Sequence, residues 1–230
     1  MKIRLKFIKQ GQVKFVGHLD IMRLFQRAIK VAQIPIAYSQ GYNPHSLVYF
    51  AMPLSVGVSS TGEYMDMVTA IDVVPKQIKD QLNKVLVEGI EMIDAFCIEE
   101  DTGSLMSLVS AASYEMRLPK NEFTYTSPAA IIDKLKEQSL VVHKKGKKGI
   151  QVVDIKPMIL ECNIEENVDD LIINVKAHAG SSQNLSPQLF LKAVLDEEDG
   201  ADKWVNITRR ELYAYDEGVY IPLDHYRRIV

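Results

Sequence analysis

Two histidines near the start of the chain have residue types and positions that suit proton transfer or anion binding. His18 and Asp20 open a predicted helix, and His45 follows an Asn43-Pro44 turn. An imidazole exchanges protons near neutral pH, and the amides at a helix amino end suit phosphate. If the strand after the turn runs beside the first strand, His18 and His45 meet at one end of the sheet as candidate catalytic residues. The alternative is that these side chains only cap the helix and the loop.

Three cations lie along one stripe of the same helix, beside its apolar face. Arg23, Arg27 and Lys30 are spaced i, i+4 and i+7, which places them on one side. Together with the loop that follows, the stripe predicts an outward surface for an anionic partner. The candidate residues of this anion- or RNA-binding surface are His18, Arg23, Arg27, Lys30, Ser39, Tyr42, Asn43 and His45. Stabilisation of the turn is the alternative for the hydroxyls of Ser39 and Tyr42.

A second group of cations falls in a predicted hairpin of the carboxyl-terminal half. It consists of Lys144, Lys145, Lys147 and Lys148, divided by Gly146. Lysine-rich tips approach phosphate backbones without reading base sequence. They are also common as solubilising turns, so both interpretations stay open for the hairpin.

Charge is strongly segregated along the chain, although the net charge is only -3. Residues 1–30 carry eight lysines and arginines against one acid, Asp20. Residues 63–101 reverse the balance, with ten acids against three lysines. Segregation of this kind presents a positive face to polyanions even in a weakly acidic protein. A solvated basic face without a partner is the alternative.

Several classes of protein are disfavoured by what the sequence lacks. It has no phosphate-binding loop and no dinucleotide fingerprint. Its two cysteines, Cys97 and Cys162, are too few for a disulfide framework or for the iron–sulfur cluster of a radical S-adenosylmethionine (SAM) enzyme. His18, Asp20, His45 and Glu63 have donor atoms suited to zinc, iron or manganese, but their spacing does not support a metal site. We therefore expect neither a metal nor a cofactor.

The cellular location follows from hydropathy. The amino terminus alternates charged with apolar residues and lacks the continuous apolar core of a signal peptide. No apolar run approaches the roughly 20 residues that cross a bilayer. We expect a cytoplasmic protein that does not contact membranes.

The elements that must position these residues are readable from periodicity. Residues 2–9 alternate with period two, as in a strand with one buried and one wet face. A helix from His18 to about Gln33 follows, with its apolar positions at Leu19, Met22, Phe25, Ile29 and Ala32. Strands over 47–52 and 63–71, a helix over 75–87 and a strand over 90–98 complete the order strand, helix, strand, strand, helix, strand. This is the ferredoxin-like βαββαβ order.

The same order repeats in the second half of the chain, where Ser127-Pro128 and Ser186-Pro187 are typical helix starts. We therefore predict an α+β protein of two tandem ferredoxin-like units, each an antiparallel sheet with helices on one face. Residues 1–104 form the amino-terminal domain, with the basic helix and the Gly-Tyr-Asn-Pro-His loop. Residues 105–230 form the carboxyl-terminal domain, with the lysine-rich hairpin.

Several stretches resemble the signature of the radical SAM-linked protein family. They include Gly17-His-Leu-Asp-Ile-Met-Arg23, Gly41-Tyr-Asn-Pro-His45 and Gly62-Glu63-Tyr64, and the hairpin with Val153-Asp154-Ile155-Lys156-Pro157 resembles a second block. This bacterial domain of unknown function is encoded beside, or fused to, a cobalamin-binding radical SAM protein. The resemblance spans nearly the whole chain and implies such a protein as partner. The association of the family with genes of RNA metabolism points to RNA modification.

Three hypotheses for function follow. The leading one is a non-catalytic accessory module that holds RNA, either tRNA or rRNA, on its basic surface for the radical SAM partner. The second is a metal-independent ribonuclease or small-molecule enzyme that uses His18 and His45 as acid and base. The third is a scaffold that docks the radical SAM partner through the acidic region 63–101.

Overall fold

The computed structural model describes residues 1–122, 127–146, 149–195 and 205–229. The chain forms two compact units, residues 1–110 with 209–230 and residues 111–208. Both are α+β, with antiparallel strand pairs and short helices. Within the described ranges, no helix has the length and apolar character that a membrane crossing requires.

The described residues form eleven strands and five α-helices, with short 3₁₀ turns between them. The strands are β1 (Lys2–Lys9), β2 (Val48–Phe50), β3 (Ser59–Val68), β4 (Ile90–Cys97), β5 (Ala111–Pro119), β6 (Val141–Gly146), β7 (Gly149–Asp154), β8 (Ile159–Glu166), β9 (Asp170–His178), β10 (Asn206–Asp216) and β11 (Val219–Pro222). The helices are α1 (His18–Val31), α2 (Pro75–Asn83), α3 (Leu105–Leu108), α4 (Pro128–Lys136) and α5 (Pro187–Val194).

The first unit is built on β1, which pairs antiparallel with β3 on one side and β4 on the other. Strand β2 pairs with β3, β10 also lies beside β3, and β11 pairs with β10. From β1 to β4 the elements follow the predicted order strand, helix, strand, strand, helix, strand.

The boundary between the units differs from the predicted division at residues 104 and 105. The first unit continues to Ser110 and also includes residues 209–230. Arg4 shows the reason, since its guanidinium donates to the carbonyl of Leu223 at 3.1 Å. Pairing between the two ends of a chain leaves no mark in local periodicity, which is why the predicted division does not group this segment with the first unit.

One face of the first sheet packs on α1 and α2. Ile3, Leu5 and Phe7 of β1 join Phe25 of α1 and Leu82 of α2 in a single apolar core. The face of α1 that packs on the core differs slightly from the face that its periodicity predicts. Its buried positions are Ile21, Phe25, Ala28 and Ile29, whereas Leu19 is exposed.

The opposite face of β1 is not the wet face that alternation predicts. Arg4 is fully buried and forms an ion pair with Asp66, its partner across the strand pair, at 2.8 Å. Lys6 contacts the carboxylates of Glu211 and Asp224 at 2.6 and 2.8 Å. Strand β10 and the residues after it therefore cover this face, and Arg4 and Lys6 serve the fold.

The second unit contains an antiparallel sheet of β5, β9 and β8, in which β9 is central. Strands β6 and β7 form the predicted hairpin as a separate two-stranded sheet. Helices α4 and α5 begin as predicted. The hydroxyl of Ser127 accepts the backbone N–H of Ala130, and the hydroxyl of Ser186 accepts that of Leu189. Each cap satisfies an amide that the helix itself leaves unpaired.

Candidate functional site

The loop after α1 is closed by one serine and one histidine. The Ser39 hydroxyl oxygen lies 2.8 Å from Nδ1 of His45 and accepts the backbone N–H of His45 at 3.1 Å. The backbone N–H of Ser39 donates to the carbonyl of His45 at 2.9 Å. These contacts fix the base of the loop, so that Tyr42 and Asn43 at its tip are exposed.

A cleft of about 540 Å³ lies between the carboxyl end of α1 and this loop. Helix α1 supplies Gln26 and Lys30, and Gln33 follows where the helix ends. The loop side supplies Tyr38, His45 and Ser46. The cleft thus brings a primary amine, an imidazole, a phenol and two carboxamides together.

The cationic stripe of α1 is only partly free. Arg23 pairs with Asp20 at 3.0 Å, with both side chains largely in solvent. Arg27 and Lys30 are exposed, and neither has an ion-pair partner in the part of the chain that the structure describes. They stand three residues apart on the helix and are therefore surface neighbours. The surplus positive charge of α1 lies beside the cleft.

His18 lies at the other end of α1, in different surroundings. Its ring packs edge-on against Phe50, with centroids 5.7 Å apart. Burial lowers the pKa of His18 below its ordinary value, and the charges of Lys9 and Arg209 lower it further, while Glu63 opposes them. Burial and the two cations therefore favour the neutral form of the imidazole.

A buried ion network beside His18 was not predicted from the sequence. Arg209 and Glu63 form a doubly bonded pair at 2.6 and 2.8 Å. The guanidinium also donates to the carbonyls of Met52 and Pro53 at 2.9 and 3.3 Å. Lys9 is buried as well and donates to the carbonyl of Val16 at 2.8 Å, and desolvation lowers its pKa. Glutamate and arginine 146 positions apart give no local signal of such a pair.

The predicted site residues are thus divided between two places. Lys30 lies twelve positions after His18 in the same helix, about 18 Å along the axis at 1.5 Å per residue. Lys30 and His45 share the cleft, whereas His18 packs on Phe50 within electrostatic range of the ion network. No cluster of three or more histidine, cysteine, aspartate or glutamate side chains with metal-binding geometry occurs among the described residues.

The predicted continuous basic surface is smaller than expected. Of the cations in residues 1–30, Arg4 and Lys9 are buried and Lys6 is engaged by carboxylates. Lys2 donates to the carbonyl of Gly103 at 3.0 Å. Lys147 and Lys148 lie outside the described residues, and so do the side chains of Lys144 and Lys145.

Comparisons with known proteins give one family and distant structures. A family described as "Uncharacterized protein conserved in bacteria (DUF2344)" matches residues 2–187. No curated protein matches the chain. A chain from the crystal structure of a Cbf5-Nop10-Gar1 complex is 9% identical with a TM-score of 0.49, and the match covers 94% of this chain and 50% of that one. An unknown protein from Galdieria sulphuraria is 11% identical with a TM-score of 0.24, and coverage is 94% and 98%. This chain therefore spans half the length of the first matched chain.

Proposed function

The chain belongs to the DUF2344 family of bacterial proteins, and from that premise we propose that it is a non-catalytic accessory module that binds RNA. In this proposal a single-stranded segment of tRNA or rRNA enters the cleft beside α1, and a radical SAM partner carries out the modification. The proposal of a radical SAM partner is based on the resemblance of the Gly17–Arg23 and Gly41–His45 blocks to the radical SAM-linked family. We also infer tandem ferredoxin-like halves, which the strand pairing of β4, β1, β3 and β2 supports for the first half.

One observation carries the RNA proposal: Lys30, Tyr38 and His45 converge on the cleft. Beside Lys30 lies Arg27, for which the described residues provide no ion-pair partner. Cations contact phosphates, and exposed aromatic rings stack on unpaired bases. The bases of an RNA duplex are shielded in a deep, narrow major groove. A concave site with a ring and an amine therefore suits a single strand.

The other two functions have less support. An acid–base pair needs His18 and His45 at one substrate, and they belong to surroundings at opposite ends of α1. Four acids of the region 63–101 are not available to a docking partner. Glu63 and Asp66 are buried in ion pairs. Asp94 and Glu99 pair with arginines of this chain.

Fluorescence anisotropy with labelled tRNA and an unstructured RNA oligonucleotide, over a series of salt concentrations, tests the proposal. The logarithm of a single-strand binding constant falls with the logarithm of salt by about 0.7 per neutralised phosphate. Contacts by Arg27 and Lys30 alone give a slope of about -1.4, and contacts by the four hairpin lysines in addition give about -4. Absence of binding, or binding that salt does not change, contradicts the proposal.

Charge-removing variants locate the surface. The double variant Arg27→Gln/Lys30→Gln is expected to weaken binding and to remove about 1.4 from the slope. Arg23→Gln is the matched control, since Arg23 lies on the same stripe and is also exposed but pairs with Asp20. Equal losses in the control and in the double variant would contradict a site at the cleft.

A further inference from the structure

Gln33 has a backbone conformation that favours glycine. Its φ is 54°, directly after the end of α1. Its N–H donates to the carbonyl of Lys30 at 3.2 Å, and the N–H of Ile34 donates to the carbonyl of Ile29 at 3.1 Å. These bonds close a helix end of the kind where glycine is preferred, because a side chain is strained there. Glycine would be the more stable residue, so the glutamine side chain calls for another explanation.

Two other residues in the described ranges, glycines aside, share a positive φ, and each has a local explanation. Glu217 precedes Gly218 in the tight turn between β10 and β11. Arg227 forms an ion pair with Glu99 at 3.2 Å. Gln33 lies at a helix end and not before a turn glycine, and its exposed carboxamide has no hydrogen-bond partner within the described parts of the chain.

The Gln33 side chain lines the cleft that also contains Lys30, Tyr38 and His45. A carboxamide offers a donor and an acceptor side by side. The Tyr38 side chain is 56% exposed and so presents a free ring. The cleft volume of about 540 Å³ is within the range of pockets for small ligands. These are the groups that recognise a flat, polar-edged ring attached to a phosphate.

We propose that Gln33 reads the edge of one unpaired adenine base held in this cleft. The inference rests on the proposed RNA-binding function and adds base preference to it. A glutamine amide matches the N6 donor and N7 acceptor of adenine in a paired contact. Tyr38 supplies a stacking face, and Lys30 supplies a cation for a neighbouring phosphate.

Anisotropy with labelled oligo(rA), oligo(rC) and oligo(rU) at one low salt concentration tests the inference. The wild-type chain is expected to bind oligo(rA) about tenfold more tightly than the others, as for a bidentate amide–adenine contact. Gln33→Gly is expected to bind all three alike while keeping the wild-type affinity for oligo(rC). Its melting temperature should rise by about 2–4 °C, because glycine relieves the strained φ. If Gln33→Gly is more stable than wild type and has lost the preference for oligo(rA), the loss is due to the missing side chain and not to misfolding.

Gln26→Ala is the matched control, since Gln26 lines the same cleft from regular helix. It is expected to keep the preference for oligo(rA). The inference is overturned if the wild-type chain binds the three oligonucleotides equally well. It is also overturned if the preference for oligo(rA) persists in Gln33→Gly or is lost only in Gln26→Ala. Each of these outcomes leaves the proposed RNA binding intact. Failure to bind both tRNA and every oligonucleotide overturns the proposed function itself.

Discussion

The two ends of helix α1 use charged and polar side chains in opposite ways. At the amino end, Lys9, Glu63 and Arg209 are buried and each is hydrogen-bonded. At the carboxyl end, Lys30 and Gln33 line an open cleft and have no partner in the described part of the chain. The difference separates residues that serve the fold from residues left available to a ligand.

Contacts with residues distant in sequence bury the charged side chains at the amino end of α1. The guanidinium of Arg209 is held by the carbonyls of Met52 and Pro53 as well as by Glu63, so backbone and carboxylate together replace water. At the other end the loop is closed on itself by Ser39 and His45. These bonds join the two ends of the loop to each other, and the cleft beside the loop is open.

Arg209→Met removes the buried ion pair at the amino end of α1 and should have the largest effect on stability. It leaves Glu63 buried without its cation, and removal of one partner of a buried ion pair costs about 3–5 kcal/mol. Urea unfolding should show this loss in the free energy of unfolding. Oligonucleotide binding by the remaining folded protein should be unchanged, because the cleft is at the far end of α1.

The double variant Glu63→Met/Arg209→Met is the control for this change. Replacement of a buried pair by apolar residues of similar size is often neutral, so the double variant should recover most of the stability. A single variant within about 1 kcal/mol of wild type would show that the pair is not the structural element we describe.

Ser39→Ala tests the open end and should have a smaller effect on stability. It removes the hydroxyl that holds both the ring and the backbone of His45. The loss of stability should be about 1 kcal/mol, the usual worth of such a hydrogen bond. Affinity for RNA should fall as well, because His45 is no longer fixed at the cleft.

Ser55→Ala provides the comparison, since Ser55 is an exposed serine in the loop that continues from Met52 and Pro53. It should change neither stability nor RNA affinity. Wild-type affinity in Ser39→Ala would show that the position of His45 does not matter for binding.

The sequence predicted the local features of both ends and missed what distant residues add. Helical spacing placed α1, and the Asn43-Pro44 turn placed the loop, because both signals lie within a few residues. The sequence could not show that Arg4 and Lys9 turn inward, since their acceptors on Leu223 and Val16 depend on the folded chain. Gln33 escaped notice because nothing in its neighbours predicts a positive φ at a residue other than glycine.

The smallest expected effect concerns the titration of His18. Burial lowers its pKa in the folded chain below the ordinary 6.5, with Lys9 and Arg209 adding to the shift and Glu63 opposing it. Between that lowered pKa and 6.5, the unfolded chain binds more protons, so stability falls as pH falls through this window. Wild type should therefore lose more stability than His18→Gln when urea unfolding is compared at about pH 7.5 and about pH 5. The other four histidines are common to both proteins. Equal losses would show that neither burial nor the charges of the buried network lower the pKa of His18.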